Sequence, residues 1–533
     1  MKVLMKTFDL KKIRNVDRKV LICMAWLLAA MAVSLIVLAA NYSNLINSDD
    51  AAEMILAQLL SDGNGVISRG WIYSSEIRIL NTQLFRSLVF RITENWLAVR
   101  IAANVLMYVW LLLSYAFFMK QYVEDFRWFW YTAPLLFTPL SWYCYYVIGL
   151  MAYYIPHISI AFLILGLWGR LYHGKSRKKA AWICLLFFSF MSGLGGTRLI
   201  FNTFIPMLTA MAVLYLVYSK EGDSLIGALK KFPYLWISTA VSFLGYAVNT
   251  KVLSQYYFFE SFSSLHLRLP TFDSLQLVLR ALINAFGYSE DYVPGTLIFS
   301  ITGIYFILVL LFILVFIVVL IFIYKKRQYL RKESMFLFTF ASLGLFETVM
   351  LLIFSDMGIS PRFFIVNLVM FIPLAAVIGS EIPMTTCVKK SVMTAGAALV
   401  IILGIGVFGF ALDENQNSDK EECIAWLEEN GYTFGYASFW NADVITELTS
   451  GNIEMVSLQV EDDGSVSQMV WLVKLDNLFP ENIDGPVFLL LNKNELSDYA
   501  PLVEGREAAY SDETYRIFIF DDSYELSDLL VWY

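Results

Sequence analysis

Long apolar runs recur along most of the chain, and they constrain the fold more than any other feature. Each is close to the ~20 residues that a helix needs to cross a bilayer. Only 16% of the 533 residues are charged, whereas ordinary soluble domains carry roughly a quarter. We therefore predict a polytopic α-helical membrane protein with about eleven transmembrane helices, over residues 20–40, 96–119, 128–147, 154–169, 180–193, 199–218, 233–250, 296–324, 334–355, 363–379 and 391–412.

The distribution of basic residues predicts the orientation of these spans. Lys and Arg are concentrated before the first span and in alternate loops, around Arg170, Lys231 and Arg331. The positive-inside rule places those segments in the cytoplasm. The N-terminus is then inside, and an odd number of spans leaves the C-terminus outside. The first run could instead be a signal peptide, but its length and the lack of a small-residue cleavage site favour a membrane anchor.

The C-terminal segment, residues 413–533, has a different composition from the rest. It contains 26 acidic and five basic residues, so it is expected to be soluble and to be repelled by anionic lipids. Its pattern predicts a helix near 420–430 and strands over 470–473, 487–491 and 515–520. We predict a small extracytoplasmic α/β or α+β domain behind a membrane body of residues 1–412, and no nucleic-acid partner.

Two adjacent carboxylates, Asp49 and Asp50, follow the first predicted span directly. One of them could be a general base that takes a proton from an attacking hydroxyl, or both could bind a divalent cation. The competing interpretation is that they only cap a helix. Apolar spacing predicts helices over Asp50–Leu60 and Ser75–Arg91, both lying on the outer membrane surface within a long first outer loop, 41–95.

Two arginines are candidates for binding an anion on the outer side. Arg362 stands at the outer start of a late span, where a guanidinium can hold a phosphate with two hydrogen bonds. Its alternative role is to reach lipid headgroups. Arg198 ends a glycine-rich loop that begins at Gly193. Exposed backbone N–H groups beside an arginine form an anion-binding concavity, although a tight interhelical turn would show the same pattern.

His157 and Glu347 complete the candidate substrate-binding residues. His157 lies near the outer end of its span and could contact a phosphate or a hydroxyl, or only a neighbouring helix. Glu347 is a carboxylate in the middle of a span, which is a functional candidate by default. A second long outer loop, 251–295, offers the weaker candidates His266, Glu290 and Asp291.

These features together resemble the GT-C superfamily of membrane glycosyltransferases. The resemblance rests on the acidic pair after the first span, the surface helices of the first outer loop, and Pro361-Arg362-Phe363-Phe364, which is similar to the Arg-Tyr element of mannosyltransferase-like and arabinosyltransferase-like members. It implies a polyprenyl-phosphate sugar donor, Asp50 as base or metal ligand with Asp49 as the alternate, and Arg362 as the ligand of the lipid phosphate. Because Trp-Trp-Asp is absent, the oligosaccharyltransferase branch is disfavoured, and a metal-independent transfer without cofactor is expected.

The predicted function is transfer of a sugar from a lipid-linked donor to a glycan, lipid or protein acceptor of the cell envelope. The enzyme would lie in the cytoplasmic membrane of a bacterium, in contact with membrane lipids. The main alternative is a flippase or transporter of lipid-linked glycans, which would need a polar path through several spans. A membrane acyltransferase and a merely anchored binding domain are weaker alternatives.

Overall fold

The computed structural model describes residues 17–174, 178–218, 232–260, 265–289 and 295–531. The basic residues that precede Asp17, together with Glu290 and Asp291, lie outside this part of the chain. The helices of the membrane body are α1 (Arg18–Ala40), α2 (Tyr42–Leu45), α3 (Ser48–Asp62), α4 (Thr82–Phe90), α5 (Trp96–Tyr122), α6 (Arg127–Thr132), α7 (Trp142–Cys144), α8 (Ile155–Tyr172), α9 (Lys178–Leu194), α10 (Ile205–Tyr218), α11 (Pro233–Lys251), α12 (Phe272–Ala285), α13 (Ile301–Lys325), α14 (Lys332–Ile353), α15 (Arg362–Val369), α16 (Leu374–Glu381) and α17 (Thr386–Asp413).

The prediction of a polytopic helical membrane protein is confirmed. In the described residues, eight helical segments are long and apolar enough to cross a membrane. Two other predicted spans are the helices α9 and α11. The predicted span 128–147 is not one helix: it is divided into α6, a 3₁₀ turn, α7 and the π-helix Tyr145–Leu150. Pro134 and Pro139 lie within this division, where each lacks the N–H that a continuous helix would use.

The first outer loop contains both predicted helices, and each packs against other elements of the chain. Helix α3 is buried along most of its length, packed between α4 and a helix of the C-terminal domain. The second helix was predicted over Ser75–Arg91 and is observed only over Thr82–Phe90. The preceding residues instead make specific contacts, such as the hydrogen bond from Asn249 Nδ2 to the backbone oxygen of Ile77 at 3.0 Å. Tertiary contacts therefore replace the first half of the expected helix.

The C-terminal domain is built on a six-stranded sheet with strand order β5-β4-β3-β7-β9-β8. Strand β3 is parallel to both β4 and β7, and the outer strands are antiparallel. This is the predicted α/β type. Its elements are α18 (Glu421–Glu429), β3 (Phe434–Ser438), α19 (Phe439–Leu448), β4 (Glu454–Val460), β5 (Val466–Gln468), β6 (Val473–Lys474), β7 (Val487–Asn492), α20 (Ala500–Val503), β8 (Tyr510–Ser511), β9 (Tyr515–Phe520) and α21 (Ser523–Ser527).

Two features join this domain to the body. Strand β6 leaves the large sheet and pairs with β1 (Trp71–Tyr73), which also pairs with β2 (Phe258–Phe259) of the second outer loop. The prediction of a strand over 470–473 was wrong in its extent. The strand begins only at Val473, because Leu472, just before β6, takes a left-handed φ of +54°. Helix α19 packs directly against α3. The C-terminal domain thus covers the helix that carries the acidic pair.

Candidate functional site

The start of α3 positions the two adjacent aspartates on different sides. Asn47, and neither aspartate, caps the helix: its Oδ1 accepts the N–H of Asp50 at 3.3 Å. This fits the preference of Asn for the N-cap position. Because neighbouring residues of a helix point about 100° apart, the pair is divided between the buried interior and a more open face. The two aspartates are adjacent in the sequence, but the helix directs Asp50 into the buried interior and Asp49 toward the more open face.

Asp50 is the buried member of the pair, with 3% of its surface exposed. Its Oδ2 accepts a hydrogen bond from the hydroxyl of Tyr146 at 3.0 Å. That hydroxyl also accepts a hydrogen bond from Nδ2 of Asn47 at 2.8 Å. Burial raises the pKa of Asp50 from its usual value near 3.8 to about 8, although Arg100 and Arg86 oppose the shift. Burial therefore favours the protonated form of Asp50 in this conformation.

Asp49 is the accessible member, with a third of its side chain exposed. Its Oδ2 lies 3.8 Å from Nη1 of Arg362. Burial raises the pKa of Asp49, and the guanidinium of Arg362 opposes that rise. Two residues that are far apart in the sequence, and that were predicted to act as base and phosphate ligand, therefore meet in the folded chain.

Arg362, the first residue of α15, has unused hydrogen-bonding capacity. Its Nη1 donates to the hydroxyl of Tyr153 at 3.4 Å, which is a long contact. Its Nε is buried and has no hydrogen-bond partner in the described part of the chain. A buried donor without a partner costs ~1–3 kcal/mol. An anion held by Nε and an Nη would remove that cost.

Arg198 shows the same incomplete pairing. Its guanidinium stacks on the ring of Tyr154 at 4.5 Å, and its buried Nη1 lacks a hydrogen-bond partner among the residues described. The preceding glycines act differently from the prediction. Gly193 allows close packing of α9 on α11, since a Cβ there would lie 1.7 Å from the backbone oxygen of Ser242. Only Gly196, with a φ of +99°, forms the turn itself.

An unusual backbone segment arranges the tyrosines that link these groups. The π-helix Tyr145–Leu150 is followed by Ala152, which is fully buried with a φ of +58°. Such conformations are costly for residues other than glycine and are concentrated at functional sites. The turn brings the rings of Tyr146 and Tyr153 to 6.0 Å from each other. A second π-helix, Ile200–Phe204, follows Arg198.

His157 joins this group, but Glu347 does not. The His157 ring is buried, and its Nδ1 lies 3.2 Å from the backbone oxygen of Tyr153. Together with Arg78 and Asn81 it lines a small cavity of about 20 Å³. Glu347 instead contacts α10, where its Oε1 accepts a hydrogen bond from Thr209 at 2.6 Å. No described contact connects Glu347 to the acidic pair.

Several residues of the candidate site were not predicted from the sequence. Tyr146 and Tyr153 contact the predicted residues directly, and the only signal for them was a Tyr-rich run from 143 to 154. Arg86, which lies within the second predicted surface helix, is buried and donates to the backbone oxygen of Met151 at 2.9 Å. Within the described chain, no three His, Cys, Asp or Glu side chains are grouped so that they could share a metal ion.

Comparisons with known proteins identify the fold. No protein-family model matches the chain, and no curated protein matches it. Its structure is similar to ArnT from Cupriavidus metallidurans in the apo state, with a TM-score of 0.53 and 10% identity over 96% of this chain and 99% of that one. It is also similar to ArnT bound to undecaprenyl phosphate, with a TM-score of 0.52, 10% identity and the same coverage. The chain therefore has the GT-C fold, and that prediction is confirmed.

Proposed function

We propose that this multi-pass membrane protein transfers a sugar from a polyprenyl-phosphate donor to an acceptor on the outer side of a cytoplasmic membrane. The proposal rests on one observation: Oδ2 of Asp49 lies 3.8 Å from Nη1 of Arg362. A carboxylate that can take a proton and a guanidinium that can hold a phosphate are the two groups that such a transfer needs. The similar structure with bound undecaprenyl phosphate supports a donor of this lipid class.

The reaction follows from the placement of these groups. An acceptor hydroxyl attacks the anomeric carbon of the donor sugar while a carboxylate of α3 removes the hydroxyl proton. The bond between the anomeric carbon and the phosphate oxygen breaks, and both of its electrons leave with polyprenyl phosphate. Arg362 and Arg198 stabilise the negative charge that develops on this leaving group.

The surroundings of the two aspartates favour Asp49 as the group that contacts the acceptor. A general base must be ionised and within reach of the proton that it removes. Asp49 is partly exposed and lies beside Arg362, whereas Asp50 is almost fully buried and has a pKa of about 8. We assign to Asp50 a positioning role through Tyr146 and Asn47. This reverses the order of preference that the resemblance implied.

Release of polyprenyl phosphate from labelled polyprenyl-phosphate sugars tests the proposal. The purified chain in nanodiscs is compared with Asp49→Asn, with Asp50→Asn, and with the control Asp62→Asn, which changes an exposed aspartate at the other end of α3. We expect Asp49→Asn to lower turnover by roughly 10²–10⁴-fold and the control to keep it. Addition of EDTA should leave the wild-type rate unchanged, because two guanidinium groups supply the positive charge.

Two results would contradict the proposal. Equal turnover in all four proteins would remove the carboxylates from the mechanism. No turnover of any donor, combined with movement of a lipid-linked glycan between the leaflets of reconstituted vesicles, would establish the flippase alternative instead.

A further inference from the structure

A small polar cavity lies where the first outer loop meets the C-terminal domain. Its volume is about 10 Å³, enough for about one water molecule or one hydroxyl oxygen. It is lined by α3, β1, α19, β4 and the residues leading into β6. We call it the junction cleft and define it by Ile55, Trp71, Asp443, Thr446, Leu472 and Lys474.

Two polar groups of the junction cleft have no partner in the described chain. Nε1 of Trp71 is buried without a hydrogen-bond acceptor. Asp443 is 6% exposed, and its carboxyl makes no hydrogen bond or ion pair with any described residue. Lys474, by contrast, is paired with Glu454 at 2.7 Å. A hydroxyl group satisfies both, because it can accept from the indole N–H and donate to the carboxyl oxygen.

Three aromatic residues precede lining residues of the cleft in the sequence: Phe439 and Trp440 come before Asp443, and Trp471 comes before Leu472. The rings of Phe439 and Trp471 are 5.2 Å apart, and Trp440 lies 5.1 Å from Phe439 with 62% of its surface exposed. Phe439 and Asp443 are four residues apart in α19, so they share one face of the helix. We call Phe439, Trp440 and Trp471 the aromatic rim. A sugar ring matches this surface, because it has an apolar C–H face beside several hydroxyl groups.

The cleft is also close to the candidate base. The hydroxyl of Ser48, the residue before Asp49, donates to the backbone oxygen of Phe439. Helix α19 packs along α3 from this point. Burial raises the pKa of Asp443 well above its usual range, and the neighbouring carboxylate of Asp49 raises it further. The C-terminal domain therefore brings its own unpaired carboxyl within electrostatic reach of the aspartate that is proposed to act on the acceptor.

We propose that the junction cleft and the aromatic rim bind the acceptor, and that this acceptor is a carbohydrate. The inference rests on the proposed function and adds the acceptor class and its subsite. One sugar hydroxyl enters the cleft between Trp71 and Asp443, and the apolar face of the ring stacks on the aromatic rim. Another hydroxyl of the acceptor is then directed toward Asp49. The C-terminal domain selects the acceptor, while the membrane body holds the donor.

Saturation-transfer NMR on the full-length chain in nanodiscs, without any donor, tests the proposal. The probes are tetrasaccharides of glucose, galactose, mannose, N-acetylglucosamine and rhamnose. We expect at least one to bind the wild type, and Trp440→Ala and Asp443→Asn each to weaken its binding by about fivefold or more. The matched controls are Tyr524→Ala and Asp528→Asn, which change an exposed aromatic and an exposed acidic residue of the same domain.

Several outcomes overturn the inference. If no tetrasaccharide binds the wild type, the acceptor is not a carbohydrate. If Trp440→Ala and Asp443→Asn bind the probe as the wild type does, the cleft holds only a structural water. Because the measurement needs no donor, it separates the two proposals: oligosaccharide binding that persists in a chain without donor turnover contradicts the proposed function alone.

Discussion

Two arginine clusters of this protein differ in burial and in how completely their guanidinium groups are hydrogen-bonded. At the first, Nη2 of Arg100 lies 2.5 Å and 2.8 Å from the two carboxylate oxygens of Glu447, and the Tyr42 hydroxyl also donates to Glu447. Both charged side chains are fully buried. At the second, Arg362 and Arg198 each retain a buried N–H without a partner in the described chain.

This difference in pairing distinguishes a structural ion pair from a candidate anion-binding site. The Arg100–Glu447 pair joins α5 to α19, so a closed set of hydrogen bonds fixes the C-terminal domain on the body. The guanidinium groups of Arg362 and Arg198 lie beside left-handed or π-helical backbone, and their hydrogen bonds are incomplete. Unsatisfied buried groups are costly, which is expected where a ligand supplies the missing partner.

Removing one partner of the closed pair should have the largest effect. Glu447→Ala leaves the charge of Arg100 buried and unpaired, which typically costs ~3–5 kcal/mol of stability. We expect a large fall in the unfolding temperature and rapid proteolysis of the C-terminal domain. Arg506→Ala, which removes a partly exposed ion pair with Glu525, should change stability by less than about 1 kcal/mol. Equal effects of the two variants would contradict the structural role.

The pH dependence of stability should reveal the buried carboxyl of Asp50. Because its pKa is raised from near 3.8 to about 8 in the folded chain, the folded state binds more protons than the unfolded state between these values. Its stabilising contribution is complete below pH 4 and is lost progressively as the pH rises to about 8. Unfolding temperatures of wild type and Asp50→Asn should therefore diverge across this range. A constant difference between them would show that Asp50 is ionised throughout.

Truncating an incompletely paired arginine should affect ligand binding more than folding. Arg362→Ala removes charge-assisted hydrogen bonds to the lipid phosphate, worth about 1.5–3 kcal/mol. We expect a Kd for undecaprenyl phosphate that is roughly 10–100-fold higher, measured by microscale thermophoresis in nanodiscs. Arg362→Lys should recover part of the loss, since an ammonium keeps the charge but not the paired geometry. An unchanged Kd would assign the phosphate to another site.

The smallest effect is expected at Glu347, which belongs to neither cluster. Its Oε1 is bonded to Thr209 on α10. Glu347→Gln keeps the shape of the side chain, so donor turnover should stay within about twofold of the wild type. Loss of turnover would extend the site into the membrane and would revive the transporter alternative, for which a mid-span carboxylate is a natural requirement.

Local sequence patterns predicted the helices and strands whose conformation does not depend on a contact from a distant part of the chain. Apolar runs identified most of the spanning helices, and strand-like runs identified β7 and β9 within a residue at each end. The prediction failed where a contact from elsewhere decided the conformation. The helix expected from Ser75 begins only at Thr82, because residues before it bind α11. Strand β6 is short because it joins β1 rather than the large sheet.

The sequence by itself determined a membrane body, an acidic C-terminal domain, and the residue types of the candidate site, because hydropathy and charge act on each segment separately. Asp49, Asp50, Arg362, Arg198 and His157 were found in this way. Only the tertiary structure decided which of them meet, that Asp50 is buried while Asp49 is reachable, and that Glu347 lies apart. It also brought Asp443 within electrostatic reach of Asp49. Burial and pairing depend on residues that are distant along the chain, and no local pattern records those distances.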